Sequence, residues 1–217
     1  MIDVTYIDHM GSDLSVVNAA RVSFGKKSEF EGRVGGPNVL AKRDVKLIGY
    51  LAEHKHTSPF GHAFASFHVK APVFVARQLV KHKFLRWNEI SRRYVDDEPE
   101  FYEPDEWRGR SLDKKQGSSG NIIILLDQEI QWNRQLTTYK TLLAEGVAPE
   151  QARMVLPQSM MTEWYWSGSL DAFADMCRLR ITPDTQYESK QVALGVDKEM
   201  LKLFPVSWKA LEGCHND

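Results

Sequence analysis

Hydrophobic and polar positions along this chain keep two different periods, and the switches between them mark out its elements. "IDVTYIDHM", from Ile2, alternates and predicts an opening strand. From Asp13, "DLSVVNAARVSF" spaces its apolar residues as a helix does, with Asp13 as the N-cap. "KRDVKLIGYLAEH" returns to the helical period, and "AFASFHVKAP" alternates as a strand that ends at Pro72. "VFVARQLVKHKF" predicts a helix with a β-branched start, and "EISRRYV" reads as a strand or an ordered loop. Residues Asn121 to Glu145 form the longest helical stretch, ended by Gly146. "PEQARMVLP" predicts a short helix between prolines, and "MMTEWYWSGS" an aromatic strand. "LDAFADMCRLR" and "DTQYESKQVALGVDKEMLKLF" predict two more helices. Between these, "GKKSEFEGRVGGPN" reads as a loop, "DDEPEFYEPDEW" as acidic turns and "SLDKKQGSSGN" as a mobile surface loop. No segment repeats. The pattern predicts an α+β fold in which helices outnumber strands.

Composition narrows the class. A chain of 217 residues with 42% hydrophobic positions can bury a core and predicts one domain over 1–217. The formal net charge of -1 argues against a general polyanion binder, so affinity for phosphate must come from local clustering. Cys177 and Cys214 form no CxxC, which fits a reducing compartment. "MIDVTYIDHMGSD" lacks a signal-peptide pattern, and no apolar run nears the roughly 20 residues needed to span a bilayer. The expectation is a cytoplasmic protein with no membrane partner.

Charge clusters in "KHKFLRWNEISRRY", from Lys81 to Tyr94. On a helix, Gln78, Lys81 and His82 share neighbouring surface positions while Lys83 points elsewhere. Two readings stand: a solvated basic helix end, or cations that hold two different anionic groups. Asn88, Glu89 and Ser91 offer donors and acceptors suited to a sugar or a base edge, and Arg93 can grip phosphate bidentately. His54 and His56 form an HxH, which by itself does not establish a metal site; Ser58-Pro59-Phe60 reads as a tight turn closing a pocket. Arg153, among apolar neighbours, needs an anionic partner if buried, and Arg178 and Arg180 point to different sides of a helix. Ser91 has no base beside it in sequence, and Cys177 lies at a core position. No GxSxG, P-loop or GxGxxG pattern occurs.

These residues resemble a known family. Lys81-His82-Lys83, seven residues and Ser91 follow, with conservative changes, the Arg-His-Arg…Ser signature of flavin-dependent thymidylate synthases. "NEIS-R-RY" is similar to the family's Asn-Glu-Leu-Ser-x-Arg-Tyr, and "NAARVSF", "HTSPFGH", "FHVKAPVFVARQ", "EFYEP", "ARMVLP" and "QYESKQ" occur in family order. The resemblance implies helices mixed with an antiparallel-rich sheet and a homotetramer with active sites between subunits. The implied activity is reductive methylation of dUMP to dTMP. Methylenetetrahydrofolate gives the carbon, and FAD reduced by NADPH gives the hydride. By matching positions, Ser58, Lys81, His82 and Lys83 contact FAD. Gln78, Lys81, Glu89, Ser91, Arg93 and Arg153 bind dUMP, and Glu89 is an orienting acceptor between flavin and nucleotide. Arg180 matches the arginine that favours the ionised uracil ring, which makes it the catalytic candidate. Ser91 becomes a binding residue, since the family works without a covalent enzyme nucleophile.

The chain also departs from the family. Both signature arginines are lysines, which keep the charge and lose the planar fork. Gly61 replaces the usual Glu, and Ser169, Asp171 and Asp175 stand where the family has Asn, Arg and Asn near the flavin. An acid facing a diphosphate is unfavourable, so Asp171 is not assigned to the flavin. The departures leave two alternatives: a paralogue methylating another pyrimidine nucleotide such as dCMP, or a nucleic-acid-binding module using Lys81–Arg93 with Phe84, Trp87 and Tyr94. The near-neutral net charge opposes the second, and no nucleic-acid partner is expected.

Overall fold

The structure, a computed structural model, describes residues 1–32, 39–95, 97–112, 117–124 and 127–213. In chain order the elements are β1 (Asp3–Met10), α1 (Asp13–Arg21), α2 (Lys42–Glu53), β2 (Phe64–Pro72), α3 (Val73–Leu79) and β3 (Arg86–Glu89). Then follow β4 (Trp107–Arg110), β5 (Ser118–Ile122), α4 (Gln128–Ala144), α5 (Pro149–Ala152), β6 (Met161–Ser169), α6 (Leu170–Arg180), α7 (Tyr187–Leu203) and α8 (Pro205–Gly213). The strands form a four-stranded antiparallel sheet in the order β1-β2-β6-β3 and a separate β4-β5 ribbon.

The period-two strands make the main sheet two-faced. Ala65, Phe67, Val69 and Ala71 of β2 bury one face beside Trp164 and Trp166 of β6, with Phe67 opposite Trp166. Phe173 of α6 meets Phe67 and Trp166 edge-on, and Val192, Val196 and Met200 of α7 with Trp208 of α8 complete this core. The other face carries polar pairs, Ser66 with Ser167 at 2.8 Å and His68 with Glu163 at 3.2 Å. β3, the last strand in the order, lays Trp87 flat on Trp164 with ring centroids 4.2 Å apart. The basic segment is thereby tied to the core through an aromatic stack.

Four expectations change. Asp13 is not the cap of its own helix; Ser12 holds that position. Asp13 is buried, and its two carboxylate oxygens accept from the backbone N–H groups of Val206 and Ser207, so it caps α8 instead. The stretch 121–145 is not one helix: Asn121 and Ile122 pair in β5, and α4 starts after Asp127, whose side chain accepts from the Ile130 N–H at 3.1 Å. A run of isoleucines fits a strand as well as a helix, and the Asp cap decides where the helix begins. "SLDKKQGSSGN" enters the same ribbon from Ser118, while its residues 113–116 lie outside the described residues, as do 33–38 of the Gly-rich loop. Finally, α3 stops at Leu79, so Lys81–Lys83 sit in a turn, with Phe84 at φ 66. α8 is an element the hydrophobic pattern left unmarked.

Candidate active site

The turn after α3 exists because β3 must start back along β6. Gly168 of β6 makes room for it: a Cβ there would lie 2.4 Å from Leu85 Cδ2 and 3.2 Å from the Phe84 carbonyl oxygen. The turn leaves Lys81, Lys83 and Phe84 exposed and tucks His82 inward. There Arg180, at the end of α6, donates from Nε to His82 Nε2 at 2.9 Å. Burial, and then the Arg180 charge, push His82 down to about 4, so the imidazole is neutral near pH 7. Its Nε2 is an acceptor and holds one guanidinium N–H in place. Burial also lowers the Arg180 pKa from its ordinary value, without removing the charge. The Arg180 terminal nitrogens make no hydrogen bond among the described residues.

Glu89 stands at the other end of β3. Thr162 donates to its Oε1 at 2.7 Å and the Trp87 indole to its Oε2 at 3.1 Å. Two donors fix the carboxylate before any ligand arrives. It borders a cleft of about 350 Å³ with Arg77 of α3, Arg92, Glu150 and Arg153. Backbone bonds from Val73 to Met160 and from Phe74 to Gln158 hold α3 against the far wall. Arg153 opens a 3-10 turn after α5, and its Nε donates to the Glu150 carbonyl at 3.2 Å. Arg77 and Arg92 were not among the residues the sequence singled out. Arg77 was legible one helical turn after Val73, and Arg92 sits where the family pattern has an open position.

The remaining predicted residues lie elsewhere. Ser91 accepts from Arg93 Nε at 3.2 Å and makes no bond to His82; Arg93 also lies 5.0 Å over the Tyr94 ring. Neither lines the cleft. Gln78 is half-buried, and its Oε1 has no hydrogen-bond partner among the described residues. Ser58 borders a separate groove of about 1210 Å³ with Arg21, Lys26, Arg43, Lys46, Tyr50 and His56. Arg21 is neutralised by the buried Asp44, and His54 stacks on Tyr50 with ring centroids 4.0 Å apart. No group of three or more His, Cys, Asp or Glu able to hold a metal occurs among the described residues. Cys177 is buried and donates to the Ala193 carbonyl at 3.6 Å; burial pushes its thiol well up, which makes it a poor nucleophile. Arg178 pairs with Asp175 at 2.8 Å, whereas one oxygen of Asp171 is buried without a hydrogen-bond partner among the described residues. Among the described residues no helix is long and apolar enough to cross a membrane.

Polar groups pre-set over a cleft, with one arginine held by a neutral histidine, belong to an enzyme. The family model for Thy1, the thymidylate synthase complementing proteins, matches residues 5–206. Flavin-dependent thymidylate synthase from Thermus thermophilus is 38% identical over 213 residues, 96% of this chain and 75% of that protein. The Kosmotoga olearia enzyme of the same name is 40% identical over 215 residues, 95% of this chain and 88% of its own. The UMP/dUMP methylase PolB from Streptomyces cacaoi, solved with 5-Br dUMP, superposes with a TM-score of 0.81 at 30% identity, covering 98% of this chain and 95% of that one. With 5-Br UMP bound, PolB superposes with a TM-score of 0.80 at 29% identity, covering 99% and 95%. The chain belongs to the flavin-dependent thymidylate synthase family and is an enzyme.

Proposed function

We propose that this enzyme methylates the uracil ring of dUMP to give dTMP, taking the carbon from methylenetetrahydrofolate and the hydride from NADPH through FAD. The observation that carries this reading is the Arg180–His82 contact: a cation aimed by a neutral imidazole, at the two positions where the family keeps its uracil and flavin residues. Charge develops on the pyrimidine as C5 becomes nucleophilic, and Arg180 lowers its cost. Glu89, already oriented, serves as an acceptor for the nucleotide and a neighbour of the flavin, with Arg153 across the cleft. Gln78 offers its unpartnered amide oxygen, and Ser91 and Arg93 bind rather than attack.

The donor set fits a flavin dinucleotide. Lys26, Arg43 and Lys46 around Ser58 give a diphosphate its counter-charge, with no Asp or Glu among the described residues that line that groove. When bound, FAD supplies the redox chemistry that passes on the one-carbon unit and its hydride. Lys81 and Lys83 add charge near His82 without a bidentate fork. Asp171, with its orphan oxygen, suits a hydroxyl or amine donor and not a phosphate.

Within one chain the family positions fall into separate places: the Ser58 groove, the His82–Arg180 contact and the Glu89–Arg153 cleft. That dispersion supports a homotetramer whose active sites draw on more than one subunit.

Anaerobic incubation with FAD, NADPH, methylenetetrahydrofolate and dUMP is expected to yield dTMP, and Arg180→Ala to lower turnover at least about 100-fold. Flavin binding with no dTMP formed would falsify the reading. The similarity to PolB favours one second reading, methylation of UMP. Competition between dUMP, UMP and dCMP decides the base and sugar: turnover of UMP near that of dUMP establishes it, and preferred turnover of dCMP removes both uracil readings.

A further inference from the structure

The β4-β5 ribbon contributes little to the core. β5 is exposed along its whole length, and two short strands gain little stability from pairing alone. What the ribbon grips is the chain just after Arg180. Arg108 of β4 pairs with Glu188 in the first turn of α7, and its guanidinium lies 4.5 Å over the Tyr187 ring. Gly117, at the entrance to β5, lies with its backbone against that of Asp184. A Cβ on Gly117 would stand 2.7 Å from the Asp184 carbonyl oxygen, and its φ of +83 also favours glycine.

The Arg108 grip is built in depth. The Glu188 side chain is 5% exposed, so its charge depends on Arg108. Tyr102 donates to the same carboxylate oxygen at 3.4 Å. Burial, and then the Glu188 charge, push the Tyr102 phenol up to about 12, so it stays a donor. Arg108 Nε donates to Ser118 Oγ at 3.0 Å, which ties the guanidinium to both strands.

Hydrogen bonds lead from these grips back to Arg180. The Thr185 hydroxyl donates to the Leu179 carbonyl at 3.2 Å and shares a 2.8 Å bond with the Thr182 hydroxyl. The Thr185 N–H donates to the Thr182 carbonyl at 3.2 Å, and the Ile181 N–H to the Cys177 carbonyl at 2.8 Å. Residues 181–186 are thus a laced link between the last turn of α6, where Arg180 meets His82, and the first turn of α7, where Arg108 holds.

We infer that the β4-β5 ribbon is a clamp that positions Arg180, with Arg108, Gly117 and Glu188 as its positioning residues. The inference rests on the role given to Arg180 above. His82 fixes one N–H of the guanidinium; the clamp fixes the backbone from which that side chain starts. A displacement of about 1 Å at a reacting centre can cost on the order of 100-fold in rate.

The test compares kcat and KM for dUMP, with FAD, NADPH and methylenetetrahydrofolate, at a temperature where melts show each variant folded. Arg108→Ala, Glu188→Gln and Gly117→Ala are each expected to lower kcat roughly tenfold or more and to leave KM within about twofold, while Arg108→Lys restores part of the loss. Glu188→Gln and Gly117→Ala keep the test open if Arg108→Ala, which leaves a buried carboxylate uncompensated, does not fold. The same substitutions are then made in Arg180→Ala. A clamp that acts through Arg180 has nothing left to position there, so the further loss should stay under about twofold. Losses that multiply in full overturn the inference, and so does native kcat in Glu188→Gln together with Gly117→Ala. A second readout needs no substrate: exchange of the Arg180 Nε–H, followed by nitrogen-15 NMR, should be at least roughly tenfold faster in Glu188→Gln than in the native protein. Unchanged exchange also overturns the clamp. A native protein that makes no dTMP, while this exchange still answers to Glu188→Gln, sinks the nucleotide reading and leaves the clamp standing.

Discussion

His82 answers to two neighbours at once: the turn that buries it and the guanidinium that needs its lone pair. Its pKa near 4 has a thermodynamic sign. The unfolded chain takes up this proton near pH 6.5, while the folded chain resists it until about 4. Stability from this group is therefore complete above the unfolded pKa and is lost as pH falls through that window. His82→Gln keeps an acceptor for Arg180 and removes the titration. Melting temperatures measured from pH 7 to 4 should fall less steeply in the variant; parallel profiles would show that His82 is not the group responsible. The identity of these residues was readable from the signature, but their contact was not. Lys81-His82-Lys83 on a continued helix would spread round its surface; in the turn that actually forms, only His82 points inward.

Among the elements, β2 and β6 were plain in the sequence because one face of each is buried and the other wet. Ala65, Phe67 and Val69 against Trp164 and Trp166 leave no freedom of register. The β4-β5 ribbon was hidden, since Ile122 and its neighbours satisfy either period, and the ribbon is anchored from outside itself. Arg108 pairs with the buried Glu188 and lies 4.5 Å over the Tyr187 ring. The β3–β6 edge makes a firm prediction. Gly168→Ala drives a methyl into Leu85 and toward the Phe84 carbonyl, so the turn that carries His82 must shift. The expected cost is about 1–3 kcal/mol of unfolding free energy, with dUMP turnover falling further than stability alone explains. Denaturant melts and turnover at a temperature where the variant stays folded check both halves; full activity would show that the turn is not held by this contact.

For the whole molecule, the separation of family positions within one chain sets up a complementation experiment. Arg153 lies on the cleft and Arg180 on His82, so a substrate that touches both is expected to draw them from different subunits. Arg153→Ala and Arg180→Ala should each be nearly inactive. Mixing them through partial unfolding and reassembly should restore a measurable fraction of native turnover, because some sites then receive both native arginines. No recovery, with mixed oligomers demonstrated by mass, would place both residues in the same subunit's site. The bond from Asp13 to Val206 and Ser207 has a different kind of consequence. It joins α1 to α8, far apart in sequence, and Trp208 and Leu211 behind it fill the core. A ribosome delivering this protein holds back the partners of Asp13 until Val206 and Ser207 have been made. Until then the buried carboxylate has no cap to make and the aromatic core no lid. The nascent chain therefore waits, incompletely closed, for α8 to emerge.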